Sequence, residues 1–128
     1  MEENEQYDYA VLKLSDKVPL KKYFSLKVCE NSEVRNKKVT IQGYEMLRTD
    51  GEQVATLNQY YHSERIEQVN PGSLYYHVDT KKQQSGSPVM LYNTNKEIEV
   101  VGIHKGYHKR MDCNMGVRVT DEMVNLIK

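Results

Sequence analysis

The sequence predicts an all-β domain, an antiparallel barrel of about six strands closed by one C-terminal helix. Three observations predict it. Short β-rich runs recur along the chain, several with alternating apolar and polar residues. Turn clusters such as Asn70-Pro71-Gly72-Ser73 and Asn93-Thr94-Asn95-Lys96 separate them. A helix start signal stands at the C-terminal end, at Thr120.

In chain order, residues 7–14 (YDYAVLKL) read as a strand that is apolar on both faces: Tyr9 and Val11 on one, Ala10, Leu12 and Leu14 on the other. Such a strand expects cover on both sides. Residues 15–22 form a loop with Pro19, residues 24–28 alternate as a short strand, and residues 31–36 are a polar turn region. Residues 38–44 alternate, with Val39 and Ile41 inward and Thr40 and Gln42 outward, and reach Gly43 near their end. Thr49-Asp50-Gly51 marks a turn. Residues 53–69 hold two strand candidates with polar breaks. Residues 74–79, 88–92 and 97–103 are further strands, the last two joined as a hairpin across residues 93–96. Residues 115–119 are the last strand. Thr120 then caps a helix over residues 121–127, with Asp121 and Glu122 suited to its dipole and Met123, Leu126 and Ile127 as its apolar face.

The composition excludes several functions. The 128 residues carry 18 Lys plus Arg and 18 Asp plus Glu, a net charge of zero. That balance argues against nucleic acid or an anionic membrane surface as partner. No apolar run approaches the ~20 residues a membrane-crossing helix needs. The first six residues, acidic and polar, are the reverse of a signal peptide, and localisation stays open. Cys29 and Cys113 form no disulfide framework; two free thiols and a single bridge both fit the sequence. No Cys/His cluster has zinc spacing, so neither a metal nor another cofactor is expected.

Three motifs carry chemistry. The first is Gln83-Gln84-Ser85-Gly86-Ser87-Pro88, a tight turn that presents a serine hydroxyl, with Gly86 removing a Cβ and Pro88 starting the next strand. The second is Asp8-Tyr9-Ala10-Val11-Leu12-Lys13-Leu14, an acid at the head of an apolar run about 75 residues before Ser85. The third is Val101-Gly102-Ile103-His104, together with Thr80, five residues before Ser85.

In this order the motifs resemble the C-terminal half of chymotrypsin-fold serine proteases of the glutamyl endopeptidase type. Thr40-Ile41-Gln42-Gly43-Tyr44, the tyrosine-rich segment 75–80 and the segment 114–119 with its following helix are similar to further stretches of that family. The resemblance runs from about Tyr7 to the C-terminus. It implies a chymotrypsin-like second barrel with a terminal helix, the first barrel being largely missing. It implies Ser85 as nucleophile, Asp8 as the acid that orients a histidine, and the backbone amides of Gln83 and Ser85 as the oxyanion hole. Thr80 and His104 would receive an acidic P1 side chain, by one neutral and one charge-assisted bond. Residues 1–22 would be the remnant of the first barrel and the interbarrel crossing, and residues 23–128 the second barrel.

The sequence departs from such an enzyme at two points. The family's general base lies upstream of the aspartate, and no histidine occurs among the seven residues before Asp8. His77, in the strand approaching the nucleophile turn, is better read as structural than as a substitute base. Removing the base of a comparable protease costs about a million-fold in rate, so this chain alone is expected to be inactive. Second, Lys81-Lys82-Gln83 replaces the glycines expected before the nucleophile turn, and losing an oxyanion donor costs roughly a hundred- to a thousand-fold. Either Gln83 adopts the required dihedrals under modest strain or the hole is not formed. Two readings follow. One is a serine endopeptidase domain that needs a histidine from a missing first-barrel segment. The other is a catalytically inactive protease-like module that binds peptide or protein along the cleft. The expected partner in both is a peptide or protein.

Overall fold

The computed structural model describes residues 6–77 and 84–128, and the side chains of these except at 45–49, 53–58 and 60. The elements are β1 (Ser25–Leu26), α1 (Asn31–Val34), β2 (Lys38–Thr49), β3 (Glu52–Asn70), β4 (Ser73–Tyr76), β5 (Pro88–Tyr92), β6 (Ile98–His108), β7 (Cys113–Arg118) and α2 (Asp121–Leu126). Strands β2, β3, β4, β7, β6 and β5 pair in that order, and β5 returns to β2. Every pairing in this ring is antiparallel, so the result is a closed six-stranded barrel. Closure pairs each strand of the ring with a neighbour on both sides over part of its length. β1 lies outside the ring, parallel to β6 through Ser25↔Glu99 and Leu26↔Val100.

The barrel interior is filled by inward side chains of every wall. Val39 and Ile41 of β2, Ile66 of β3, Leu74 and Tyr76 of β4, Val89 of β5 and Val101 of β6 form one buried cluster with Cys29 and Val34. Each such side chain contributes about 1.5–3 kcal/mol through the apolar surface it removes from water. A second cluster lies on the outer side of β7. There Val117, Val119 and Met123 pack with half-buried Tyr9, Leu26, Ile103 and Val124. Covered on both sides, β7 is buried over its last four residues. Arg118 binds the ends of the fold together. Its guanidinium donates to Asn31 Oδ1 at 2.7 Å, the Asn70 carbonyl at 2.9 Å and the Cys29 carbonyl at 2.6 Å.

Several expectations are corrected. Residues 7–14 form no strand and join no ladder, and Leu12 and Leu14 stay exposed. The strand expected at 24–28 is only the two residues of β1. The two candidates over 53–69 are one continuous strand, β3, held by the ladder to β2 as far as Arg65 and by the ladder to β4 from Ile66. The polar turn over 31–36 contains the short helix α1, where Glu30 and Glu33 form a capping box. β4 ends at Tyr76, and β6 runs five residues beyond the expected Ile103. Thr120 caps α2 as expected, accepting from the Met123 N–H at 3.2 Å. The helix is too short to dock its whole apolar face, so Met123 is buried while Leu126 and Ile127 are exposed. Both cysteines are free thiols, buried in different clusters, and burial pushes the Cys29 thiol up to about 11.

Candidate active-site cleft

The turn that carries Ser85 is built by its own sequence and pinned to β6. The Ser87 N–H donates to the Gln84 carbonyl at 3.1 Å, closing a four-residue turn. Gly86 occupies its third position with φ of 92°, the place where a type II turn takes glycine. Two backbone bonds fix the turn to a single residue: the Gly86 N–H donates to the His104 carbonyl, and the His104 N–H donates to the Ser87 carbonyl, each at 2.8 Å. Gly43 of β2 lies beneath. A Cβ there would stand 2.0 Å from Ser87 Oγ, and the Gly43 carbonyl accepts from Gln84 Nε2 at 3.4 Å. The Gly43 that ends the alternating run of β2 is thus required by the close approach of this turn.

β6 breaks register beside the serine. His104 pairs with Gly116 and Gly106 pairs with Met115, which leaves Lys105 as the extra residue of a β-bulge. Gly106, with φ of 134°, supplies the backbone conformation. The bulge turns the Lys105 carbonyl toward the serine, and Ser85 Oγ donates to it at 2.5 Å. The Lys105 ammonium reaches the other way, to Asp8 Oδ2 at 3.1 Å. Asp8 is placed by its neighbour Tyr9, which packs against the outer cluster of β7.

Asp8, Tyr9, Ser85, Gly86, His104 and Lys105 line one cavity of about 630 Å³. Three of the sequence-predicted site residues, Ser85, Asp8 and His104, therefore share a cleft. Thr80 and Gln83 lie outside the described residues. Ser85 is exposed, while His104 is 2 % exposed. Its Nδ1 is 2.8 Å from the phenol oxygen of Tyr76, itself fully buried. Burial lowers the His104 pKa to about 4, so the ring is neutral at pH 7. The other histidines are elsewhere: His77 pairs with Glu67 at 3.1 Å, His62 lies on β3, and His108 lines a separate cavity with Arg35, Tyr75 and Arg110. Among the described residues, no group of three His, Cys, Asp or Glu side chains is arranged to hold a metal ion. Among them too, no helix is long and apolar enough to cross a membrane.

Lys105 and Tyr76 are the residues that sequence reasoning missed. Lys105 follows the His104 motif directly, but only the bulge reveals its position. Tyr76 meets His104 only across β7, where Gly116 lies opposite both Leu74 and His104 in the ladders and opens a path from one neighbouring strand to the other.

No family profile and no curated protein matches the sequence. Solved structures do match. A Glu endopeptidase in complex with MPD superposes with a TM-score of 0.64 at 24 % identity, over 82 % of this chain and 45 % of that one. The protease of tobacco vein mottling virus superposes with a TM-score of 0.55 at 17 % identity, over 88 % of this chain and 46 % of that one. The chain spans a little under half the length of each. Together with the closed antiparallel barrel, these likenesses show that the chain has a chymotrypsin-like protease fold.

Proposed function

We propose that this chain carries the nucleophile side of a serine endopeptidase cleft, and that alone it binds peptide without cutting it. The observation that carries the reading is the meeting of Ser85 and Asp8 on one cavity, brought together from residues far apart in sequence. In this reading Ser85 is the nucleophile and Asp8 orients an imidazole that none of the chain's own four histidines supplies. The amides of Gln83 and Ser85 receive the oxyanion, and Thr80 and His104 receive the P1 side chain. Without the base, the Ser85 hydroxyl stays protonated and a weak nucleophile.

One observation favours the rival reading, an inactive protease-like module that binds peptide or protein. Asp8 is engaged by Lys105 rather than by an imidazole, and the Ser85 proton is directed at a backbone carbonyl. A fluorophosphonate probe separates the two. The full chain is expected to label at the background rate of ordinary serines. Added imidazole, small enough for the cavity, is expected to accelerate modification of Ser85, and Asp8→Asn to remove the acceleration. Rapid labelling without imidazole contradicts inactivity of the chain alone. No acceleration at any imidazole concentration defeats the endopeptidase reading and leaves the inactive module.

A further inference from the structure

We propose that the cavity between Arg35, Tyr75 and Arg110 is a second binding site, for a phosphate group, either free or carried on a phosphorylated side chain. It goes beyond the reading of the Ser85 cleft and does not depend on it.

The cavity measures about 470 Å³ and lies outside the barrel interior. Leu74 and Tyr76 belong to the core cluster, whereas Tyr75 between them packs with Cys113 and Met115. A β-bulge sets the register here. Ile66 pairs with Tyr76 and Gln68 with Tyr75, leaving Glu67 as the extra residue. Gln68 therefore joins Tyr75 in lining the cavity, while Ile66 stays in the core.

The Tyr75 phenol carries the proposal. Tyr75 is 9 % exposed, and the side-chain amide of Asn70 donates to its oxygen at 3.2 Å. The direction of that bond is fixed, because Asn70 Oδ1 accepts from the Gly72 N–H at 3.0 Å and leaves the amide nitrogen for the phenol. The phenol oxygen therefore accepts, and among the described residues no acceptor is recorded for its own proton. A buried O–H without an acceptor is costly, and this one lines a cavity that a ligand oxygen can enter. The His108 ring holds the phenol from the side, edge-on at 85° with centroids 5.8 Å apart. Its Nδ1 accepts from the Met111 N–H at 3.1 Å, which fixes the ring in turn.

Charge identifies the ligand. The described lining residues include two guanidiniums, Arg35 and Arg110, and no carboxylate. The other two cavities carry both signs: Asp8 with Lys105 in the cleft, and Glu97 with Lys22 and Lys96 beside Phe24. The carboxylates nearby are engaged, Glu67 with His77 at 3.1 Å and Asp112 with the Tyr107 phenol. Arg35 is exposed, and among the described residues no partner is recorded for its guanidinium. A phosphate group carries a charge of about −1.5 to −2 at pH 7 and three or four acceptor oxygens. It matches two guanidinium forks and one phenol proton together. A carboxylate brings half the charge and two oxygens, and satisfies the same donors less completely.

The test is titration of the full chain with inorganic phosphate at pH 7 and constant ionic strength, followed by backbone NMR. Saturable shifts are expected at Arg35, Gln68, Tyr75 and Arg110. Acetate is expected to bind at least about tenfold more weakly, and equal binding of acetate overturns the phosphate assignment. Tyr75→Phe keeps the ring and loses the donor; Arg35→Gln changes an exposed side chain. Each is expected to weaken phosphate binding about tenfold, with the Tm in phosphate-free buffer within a few degrees of the unmodified chain. A phosphoserine peptide then separates the two sources. Binding tighter than that of free phosphate places the group on a protein, and equal binding makes the free ion the ligand. Shifts that grow without saturation, that persist in both variants, or that centre on Ser85 and Lys105 overturn the proposal. Failure of peptides to enter the Ser85 cleft does not touch it.

Discussion

The Lys105 ammonium stands 3.1 Å from the Asp8 carboxylate, on the same residue whose carbonyl accepts the Ser85 hydroxyl. One bulged residue thus touches both halves of the candidate catalytic pair. Its side chain holds the position at Asp8 that an orienting acid would offer to an imidazole. Asp8 is mostly exposed in this pair, so the contact is worth about 0–1 kcal/mol.

Lys105→Met is therefore expected to leave the Tm within a few degrees of the unmodified chain. In the endopeptidase reading it frees Asp8, and imidazole-supported labelling of Ser85 is expected to rise. The check is the labelling rate against imidazole concentration for both proteins. An unchanged rate shows that Lys105 does not compete for Asp8.

The turn that carries Ser85 depends on two glycines for different reasons. At Gly86 a Cβ meets nothing within 4 Å, yet φ of 92° is strained for any L side chain. Gly86→Ala is expected to cost about 1–3 kcal/mol through backbone strain alone. Gly43→Ala instead drives a methyl into Ser87, and here Ser87→Gly should recover part of the loss, since it removes the clashing atoms. Urea unfolding of the single and double variants measures both effects. Recovery of Gly86→Ala by Ser87→Gly would contradict the distinction.

His104 makes stability depend on pH. Its pKa in the fold is about 4, against 6.5 in the unfolded chain, because burial disfavours the charged ring. Between these values the unfolded state binds the extra proton, so stability falls as pH drops from about 6.5 to about 4 and is flat in this respect outside that window. The loss is on the order of 3 kcal/mol. His104→Gln is less stable at neutral pH and is expected to show a shallower fall over the same window. Parallel curves for the two proteins would show that His104 is not buried neutral.

Arg118 is a buried cation satisfied by three neutral oxygens. Arg118→Leu strands Asn31 Oδ1 and two carbonyls and is expected to cost about 2–4 kcal/mol. Arg118→Lys is expected to recover only part of this, because an ammonium lacks the fork that reaches α1, β3 and Cys29 together. Chemical denaturation of both variants gives the comparison.

How much was legible in the sequence follows from where the forces are local. β5 agrees with its expected bounds because a Ser-Gly-Ser-Pro turn precedes it and an Asx turn follows it. In that turn Asn93 Oδ1 accepts from Asn95 and Glu97. Thr120 was readable for the same reason: a cap acts within three residues. β3 was not, since Ile66 is the buried residue of its described part and its continuity comes from pairing with β2. Residues 7–14 were misread because apolar composition suggests a ladder, whereas Tyr9 alone docks on a core cluster and Leu12 is 86 % exposed. Ser85, Asp8 and His104 were legible as motifs. Lys105 and Tyr76 were not, because a bulge and a cross-strand contact through Gly116 exist only once the strands are in register.

The central claim, that peptide enters the cleft between Asp8 and Ser85, is tested most directly by backbone NMR of the full chain during titration with an end-capped peptide. The largest shifts are predicted at Ser85, Gly86, His104 and Lys105. Shifts confined to the cavity of Leu20, Phe24 and Ile98, or to that of Arg35, His108 and Arg110, would contradict it.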